Sequence, residues 1–418
     1  MYVSALGKTH QTLLSIGIQE KVIEDNEQPL VEQLVSHISR GFDQPKFINY
    51  LLAAMLYCSA VQLPLQYDLP RIPKWFINDY LNFMFYSPPY FKKVGEADNY
   101  YHYMHQWIDY LHTSIFKQPD SSLRRSVLNH FLQLTNFIPL CFNDFNLKDI
   151  CVKRAEILEF TLKLTGHKIG YEFTHRALRR KIRLGILAAH FTPAAETFAS
   201  LPVYEYISRD FEVILYSLAS SGHQLEQYCQ SCANSFKPLP NNLIDQVNFI
   251  RADDIDILFI ATNITAVSNQ IGLLSLHRLA RIQATSVASI MTTGMRNIDY
   301  YISGNLTEPY EDAAQHYQEK LLKLDGPAHC FSYGSEQNTA TIKVKRESIN
   351  LPKEAVVFVS VANLFKITPE LSETWAKIMA SIPNSVLMLF PYGLNWSSDY
   401  PKKPFQNQMI TTLSRYGV

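Results

Sequence analysis

The 418-residue sequence predicts an α/β protein with an all-α segment over 1–170, a first parallel-sheet lobe over 181–345, and the start of a second lobe over 346–418. Three observations predict this. Apolar residues recur every three to four positions up to about residue 165, short β-rich runs alternate with helical stretches after it, and the alternation restarts near residue 346.

In the first segment the helical spacing is clearest in three sets: Leu51, Met55 and Leu56; Trp75, Phe76, Tyr80, Leu81 and Met84; and Trp107, Leu111, Ile115 and Phe116. Breaks containing proline, QLPLQYDLPRIPK and YSPPY, punctuate them. No repeat period shows. The segment reads as either a recognition domain or a structural cap.

The pattern changes at RALRRKIRLGILAAHF, where Arg176, Arg179, Arg180, Lys181 and Arg183 read as a solvated linker. Strands follow at IRLGILA, FEVILYS, IDILFIA and IQATSVAS, with helices expected near 195–208, 242–252 and 268–280. This is the signature of a doubly wound parallel sheet. From residue 346, AVVFVSVA, PELSETWAKIMASI and SVLMLF make a compact βαβ unit, with one more helix at FQNQMITTLSRYGV. Two such units suggest two Rossmann-like lobes with a cleft between them. Ligands of such sheets bind beyond the carboxyl ends of the strands.

Composition narrows the function. A hydrophobic fraction of 47% and a charged fraction of 18% are those of an ordinary soluble protein. The formal net charge of zero argues against nucleic acid or an anionic membrane as the main partner. The N-terminal residues lack the apolar run of a signal peptide, and the longest apolar stretch, Leu51 to Val61, is too short to span a bilayer. A cytoplasmic location is expected. Cys229 and Cys232 form the one close cysteine pair, without a second pair or a histidine cluster, and read as two thiols on a helix.

Three loops sit where chemistry is expected. In SVANLFKITPE the strand is expected to end near Val361 or Ala362, and a helix to start with Thr368 as N-cap and Pro369 in its first turn. The apolar face expected of that helix is Leu371, Trp375, Ile378, Met379 and Ile382. Lys366 then lies just ahead of a helix N-terminus, an arrangement that favours an anion such as a diphosphate leaving group. The loop SIMTTG, expected after a strand ending at Val287 or Ala288, offers Thr292, Thr293 and the permissive Gly294 for close approach to a sugar or phosphate. The loop AAHFTPAAET holds His190 and Glu196 as its titratable groups.

RIQATSVASIMTTGMRNIDYYISG resembles the segment of O-GlcNAc transferase and its SPINDLY relatives that carries a PGTTG-like loop. SVANLFKITPELSETWAKIMASIPNSVLMLF looks like the strand–loop–lysine–helix element of the same family's second catalytic lobe. The resemblance runs from about Arg180 to about Leu389, and lacking tetratricopeptide repeats the chain is most similar to the bacterial branch that modifies adhesins. It implies a two-lobed GT-B fold, metal-independent inverting chemistry, no cofactor, a UDP-sugar as co-substrate and a protein as acceptor. Lys366 would contact the donor diphosphate, Asn363 would stand near the donor, and Thr292, Thr293 and Gly294 would line the donor-sugar side. The family's acceptor-side histidine is replaced near Ala194 or Ala195, with His190 and Glu196 close by as imperfect matches.

Only about 70 residues follow the start of the second lobe, against roughly 100–150 for a typical domain. The second lobe is therefore expected to be incomplete: the chain is a fragment, or another chain completes the site, or the protein is a non-catalytic interaction scaffold.

Overall fold

The structure is a computed structural model describing residues 5–18, 23–117, 122–174, 179–334, 345–390 and 402–418. It divides into two compact units that do not follow the linear segments. One comprises Met1–Tyr86, Tyr103–Ile138 and Phe145–Gln337; the other comprises Ser87–His102, Pro139–Asp144 and Asn338–Val418. The helical region is thus shared out. Most of it joins the first sheet, and two short pieces join the second.

In the first unit, helices α1 (Ala5–Ser15), α2 (Gln28–Ser39), α3 (Phe47–Ala54) and α4 (Ile77–Met84) precede α5 (Glu96–Lys117), whose first turns belong to the second unit. Helices α6 (Ser122–Leu134) and α7 (Lys148–Leu164) complete the helical region. The helical spacing holds in the buried Leu51, Met55, Phe76, Tyr80, Leu81, Trp107 and Leu111. Trp75, two residues ahead of α4, and Phe116, in the last turn of α5, belong to the expected apolar faces but are exposed.

The sheet of this unit holds β1 (Ile182–Ala188), β2 (Phe211–Ser217), β3 (Ser235–Pro238), β4 (Ile257–Ile260), β5 (Ile282–Thr285), β6 (Tyr300–Gly304) and β7 (Lys320–Leu324). They run in the order β3-β2-β1-β4-β5-β6-β7 and every neighbouring pair is parallel. The five last residues of both β1 and β2 are buried, as strands covered on both faces require. Crossovers run through α8 (Ala195–Glu205), α9 (Gln224–Ser231), α10 (Leu243–Ala252) and α11 (Gln270–Ser275). Leu184, Ile186, Phe191, Leu201, Leu215 and Leu225 form one side of the core.

Helix α11 is shorter than the expected 268–280. It stops because the backbone N–H groups of Leu279 and Ala280 are taken by Gln283 Oε1 rather than by a further helical turn. Strand β5 ends at Thr285, before Val287, because Ser289 N–H bonds back to Ser286 O and turns the chain. Arg176 of the basic run lies outside the described residues. Arg179 and Arg183 are tied to Asp254 and Glu212, so they brace the sheet.

In the second unit, β8 (Val356–Ser360) and β9 (Ser385–Leu389) pair in parallel across α12 (Pro369–Ala380), and α13 (Lys402–Arg415) packs on α12. Tyr90, Leu364, Ile367, Phe405 and Met409 form its core. The buried face of α12 is Pro369, Ser372, Ala376 and Met379; of the expected face Met379 is buried and Trp375 packs against the core, while Ile378 is exposed.

Candidate functional site

The order of the seven-stranded sheet reverses between β1 and β4. Such a switch point parts the two adjacent loops and leaves a crevice at the strands' carboxyl ends. The loop after β1 holds His190 and leads into α8, which carries Glu196 in its first turn. The loop after β4 begins at Ala261. Two bonds join these loops: Ala189 N–H donates to Thr262 Oγ1 at 2.9 Å, and Asn263 N–H donates to Glu196 Oε1 at 2.9 Å.

His190 and Glu196 are both half-buried, and they are electrostatic neighbours. Burial raises the Glu196 carboxyl above the usual carboxylate range, with Asn263 N–H and His190 opposing the shift. His190 Nδ1 is 2.9 Å from Thr192 Oγ1, which orients the ring. Asn263 escaped the sequence reading. Its side-chain oxygen accepts from the N–H groups of Thr265 and Ala266, fixing the loop that holds Glu196. The Asn in TNIT after a β-rich run is the signal that marks such a turn.

Thr292, Thr293 and Gly294 follow β5. Both threonines are buried and bound to Glu319, which precedes β7. Gly294 has φ +67°, and a Cβ there would lie 2.3 Å from the Cys151 carbonyl group in α7. The loop therefore turns its hydroxyls inward and lies against a helix backbone. Glu319 has no sequence signal of its own, being one acid between Gln318 and Lys320.

The helix α7 seats the β4 loop as well. Arg154 in α7 is buried, and its guanidinium donates to Ile264 O at 3.2 Å while lying 5.3 Å from the Phe137 ring centre. Phe137 N–H donates to Ala266 O at 2.7 Å. Burial pulls Arg154 down to about 10, which leaves it charged at neutral pH.

In the second unit, β8 ends at Ser360, one residue before the expected Val361, which is exposed. A single 3₁₀ turn, Leu364–Lys366, follows, with Lys366 N–H donating to Asn363 O at 2.9 Å. Leu364 and Ile367 are buried on either side of it. With both neighbours anchored in the core, the Lys366 side chain is turned outward. It is exposed and makes no ion pair among the described residues. Thr368 caps α12 as expected, its hydroxyl accepting from Leu371 N–H at 3.3 Å, and Pro369 occupies the first turn. Glu370, the acid of that turn, accepts from Gly95 N–H at 2.9 Å. The half-buried Cys141 thiol is pushed up to about 12 by burial, and the nearby Lys366 charge opposes the shift. A cation, the positive end of a helix dipole and open exposure thus coincide at the carboxyl end of a parallel strand.

The comparisons point to one class of protein. Residues 325–398, which include β8, the Lys366 turn, α12 and β9, match the model of glycosyl transferase family 41. Over 252 residues the chain is 27% identical to the probable UDP-N-acetylglucosamine–peptide N-acetylglucosaminyltransferase SPINDLY of Arabidopsis thaliana, covering 57% of this chain and 25% of that protein. It is 34% identical over 142 residues to the rice protein of the same description, covering 34% and 14%. The chain spans a quarter or less of the length of these relatives. Among solved structures, a mutant O-GlcNAc transferase from Thermobaculum terrenum superimposes with a TM-score of 0.53 at 18% identity, over 100% of this chain and 74% of that one. The fold is that of a helical region followed by parallel-sheet α/β units, as in that transferase.

Proposed function

We propose that the protein transfers a sugar from a nucleotide-sugar donor to a protein side chain. The single observation that carries this is Lys366, exposed and unpaired just ahead of the capped α12 inside the segment that matches glycosyl transferase family 41. The positive end of a helix and a full cation together offset charge that builds on a departing diphosphate. Asn363 lies on the same turn and is assigned to the donor. Thr292, Thr293 and Gly294 act through the shape of their backbone, since their hydroxyls serve Glu319.

The donor is a UDP-sugar, UDP-GlcNAc or UDP-hexose, and the acceptor is Ser/Thr or Asn. Displacement is in line, inverting and metal-independent, in a cytoplasmic protein related in branch to the bacterial adhesin transferases. His190 and Glu196, brought together at the switch point, are the acceptor-side pair. Burial raises the Glu196 carboxyl above the usual carboxylate range, a shift in the direction that favours holding a proton for exchange. None of the described helices is long and apolar enough to cross a membrane.

The test is transfer itself. The protein is incubated with UDP-GlcNAc, UDP-glucose or a GDP-sugar and a mixture of denatured polypeptides, and mass spectrometry reads sugar gained. Incorporation from a UDP-sugar, lost in Lys366→Ala with an unchanged melting temperature, is expected. No sugar gained and no nucleotide released from any donor would overturn the reading.

A further inference from the structure

The helical region contains a cavity of about 220 Å³ whose lining includes none of the candidate site residues. Its apolar wall comes from Leu111 and Ile115 of α5 and from Leu123 and Val127 of α6. Its polar end is built by Tyr67, Asp68 and Tyr110. The rings of Tyr67 and Tyr110 stand 5.6 Å apart at 40°, and Trp107 backs both of them at 5.4 and 5.8 Å. Tyr110 is held in place because Leu69 N–H donates to its hydroxyl at 2.7 Å.

Asp68 makes no ion pair among the described residues. Arg124 also borders the cavity, but its guanidinium centre lies 5.2 Å over the ring of Phe160 in α7. Burial keeps the phenols of Tyr67 and Tyr110 above their ordinary value, so they stay neutral and Asp68 is the one anion of the cavity lining. Two aromatic faces beside one unpaired carboxylate attract a cation, and an aliphatic wall covers a short methylene stem.

We infer that this cavity binds an alkylammonium group: the four-carbon stem runs along Leu111, Ile115 and Val127, and the –NH₃⁺ head meets Asp68 beside the contacting rings of Tyr67 and Tyr110. The chemistry is that of a lysine side chain or of a free aliphatic amine. A neutral alcohol of the same length fills the same wall but gives up both the charge on Asp68 and the attraction of the rings.

The test is calorimetric titration of the whole chain with n-butylamine hydrochloride, with 1-butanol, and with N-acetyl-lysine methylamide. Saturable binding of an ammonium compound, at least about tenfold tighter than the alcohol, is expected from one charge-assisted contact. Asp68→Asn is expected to remove that margin while the melting temperature stays put. If the lysine amide binds as well as butylamine, the occupant is a polypeptide side chain; if butylamine alone binds, it is a free amine. Equal binding of amine and alcohol, or no binding of either ammonium compound, would overturn the inference. The amine–alcohol comparison on the unaltered protein decides this even if Asp68→Asn does not fold.

Discussion

Thr292 Oγ1 donates to one oxygen of the Glu319 carboxylate at 2.6 Å, in a setting where both residues are buried. The other oxygen accepts from the backbone N–H of Thr293 at 2.7 Å and from its hydroxyl. Glu319 therefore holds the loop after β5 from beneath. Replacing it by alanine strands three donors in the interior and is expected to cost about 3 kcal/mol. Urea unfolding of Glu319→Ala measures this.

Gly294 is fixed by two constraints at once, a left-handed φ of +67° and the Cys151 carbonyl 2.3 Å from where a Cβ would stand. Backbone cannot swing aside as a side-chain tip does. Gly294→Ala is expected to lose at least about 2 kcal/mol, more than left-handed strain alone supplies. Thermal unfolding of the variant beside Gly272→Ala, whose nearest contacts are at 3.4 Å, provides the comparison.

His277 carries a pH prediction. It is fully buried, its Nδ1–H donates to Leu273 O at 3.0 Å, and its Nε2 accepts from His167 Nδ1 at 3.2 Å. Burial, with His167 and Arg251 as neighbouring cations, lowers it to about 4 from 6.5. The folded state thus resists the proton that the unfolded chain takes up. The native state keeps its full margin above pH 6.5 and loses it as the pH falls toward 4, by about 3 kcal/mol in all. Unfolding free energy measured across that window checks the direction, and His277→Gln is expected to flatten the slope.

Thr368 supplies the side-chain cap of α12, so Thr368→Ala is expected to cost about 1 kcal/mol. Thr368→Ser, which keeps the oxygen, is expected to restore most of it in the same melting experiment.

Much of this was legible in the sequence, and the failures have physical causes. The cap at Thr368 and Pro369 reads directly because local hydrogen bonding fixes it. The strand runs at β1, β2 and β4 read because strands buried on both faces are continuous apolar stretches. The buried face of α12 read in part: Met379 and Trp375 pack inward as the apolar spacing has it, but Ser372 and Ala376 are buried while Ile378 is exposed, a choice made by tertiary packing. The inward turn of Thr292 and Thr293 depends on Glu319, 26 or more residues away, and no local pattern carries such a pairing. His190 and Glu196 read as titratable groups in the right loop. Their tie to Asn263 needed the strand order that brings the β1 and β4 loops side by side.

The most direct measurement is the melting temperature of the protein with saturating UDP, with GDP and with neither, beside Lys366→Ala. A ligand that binds the folded state alone stabilises it by RT ln(1 + [L]/Kd), so even weak binding is visible at high concentration. A rise with UDP that exceeds that with GDP and disappears in Lys366→Ala is predicted. An equal rise in the variant, or no rise with either nucleotide, would contradict the assignment of Lys366 to the donor diphosphate.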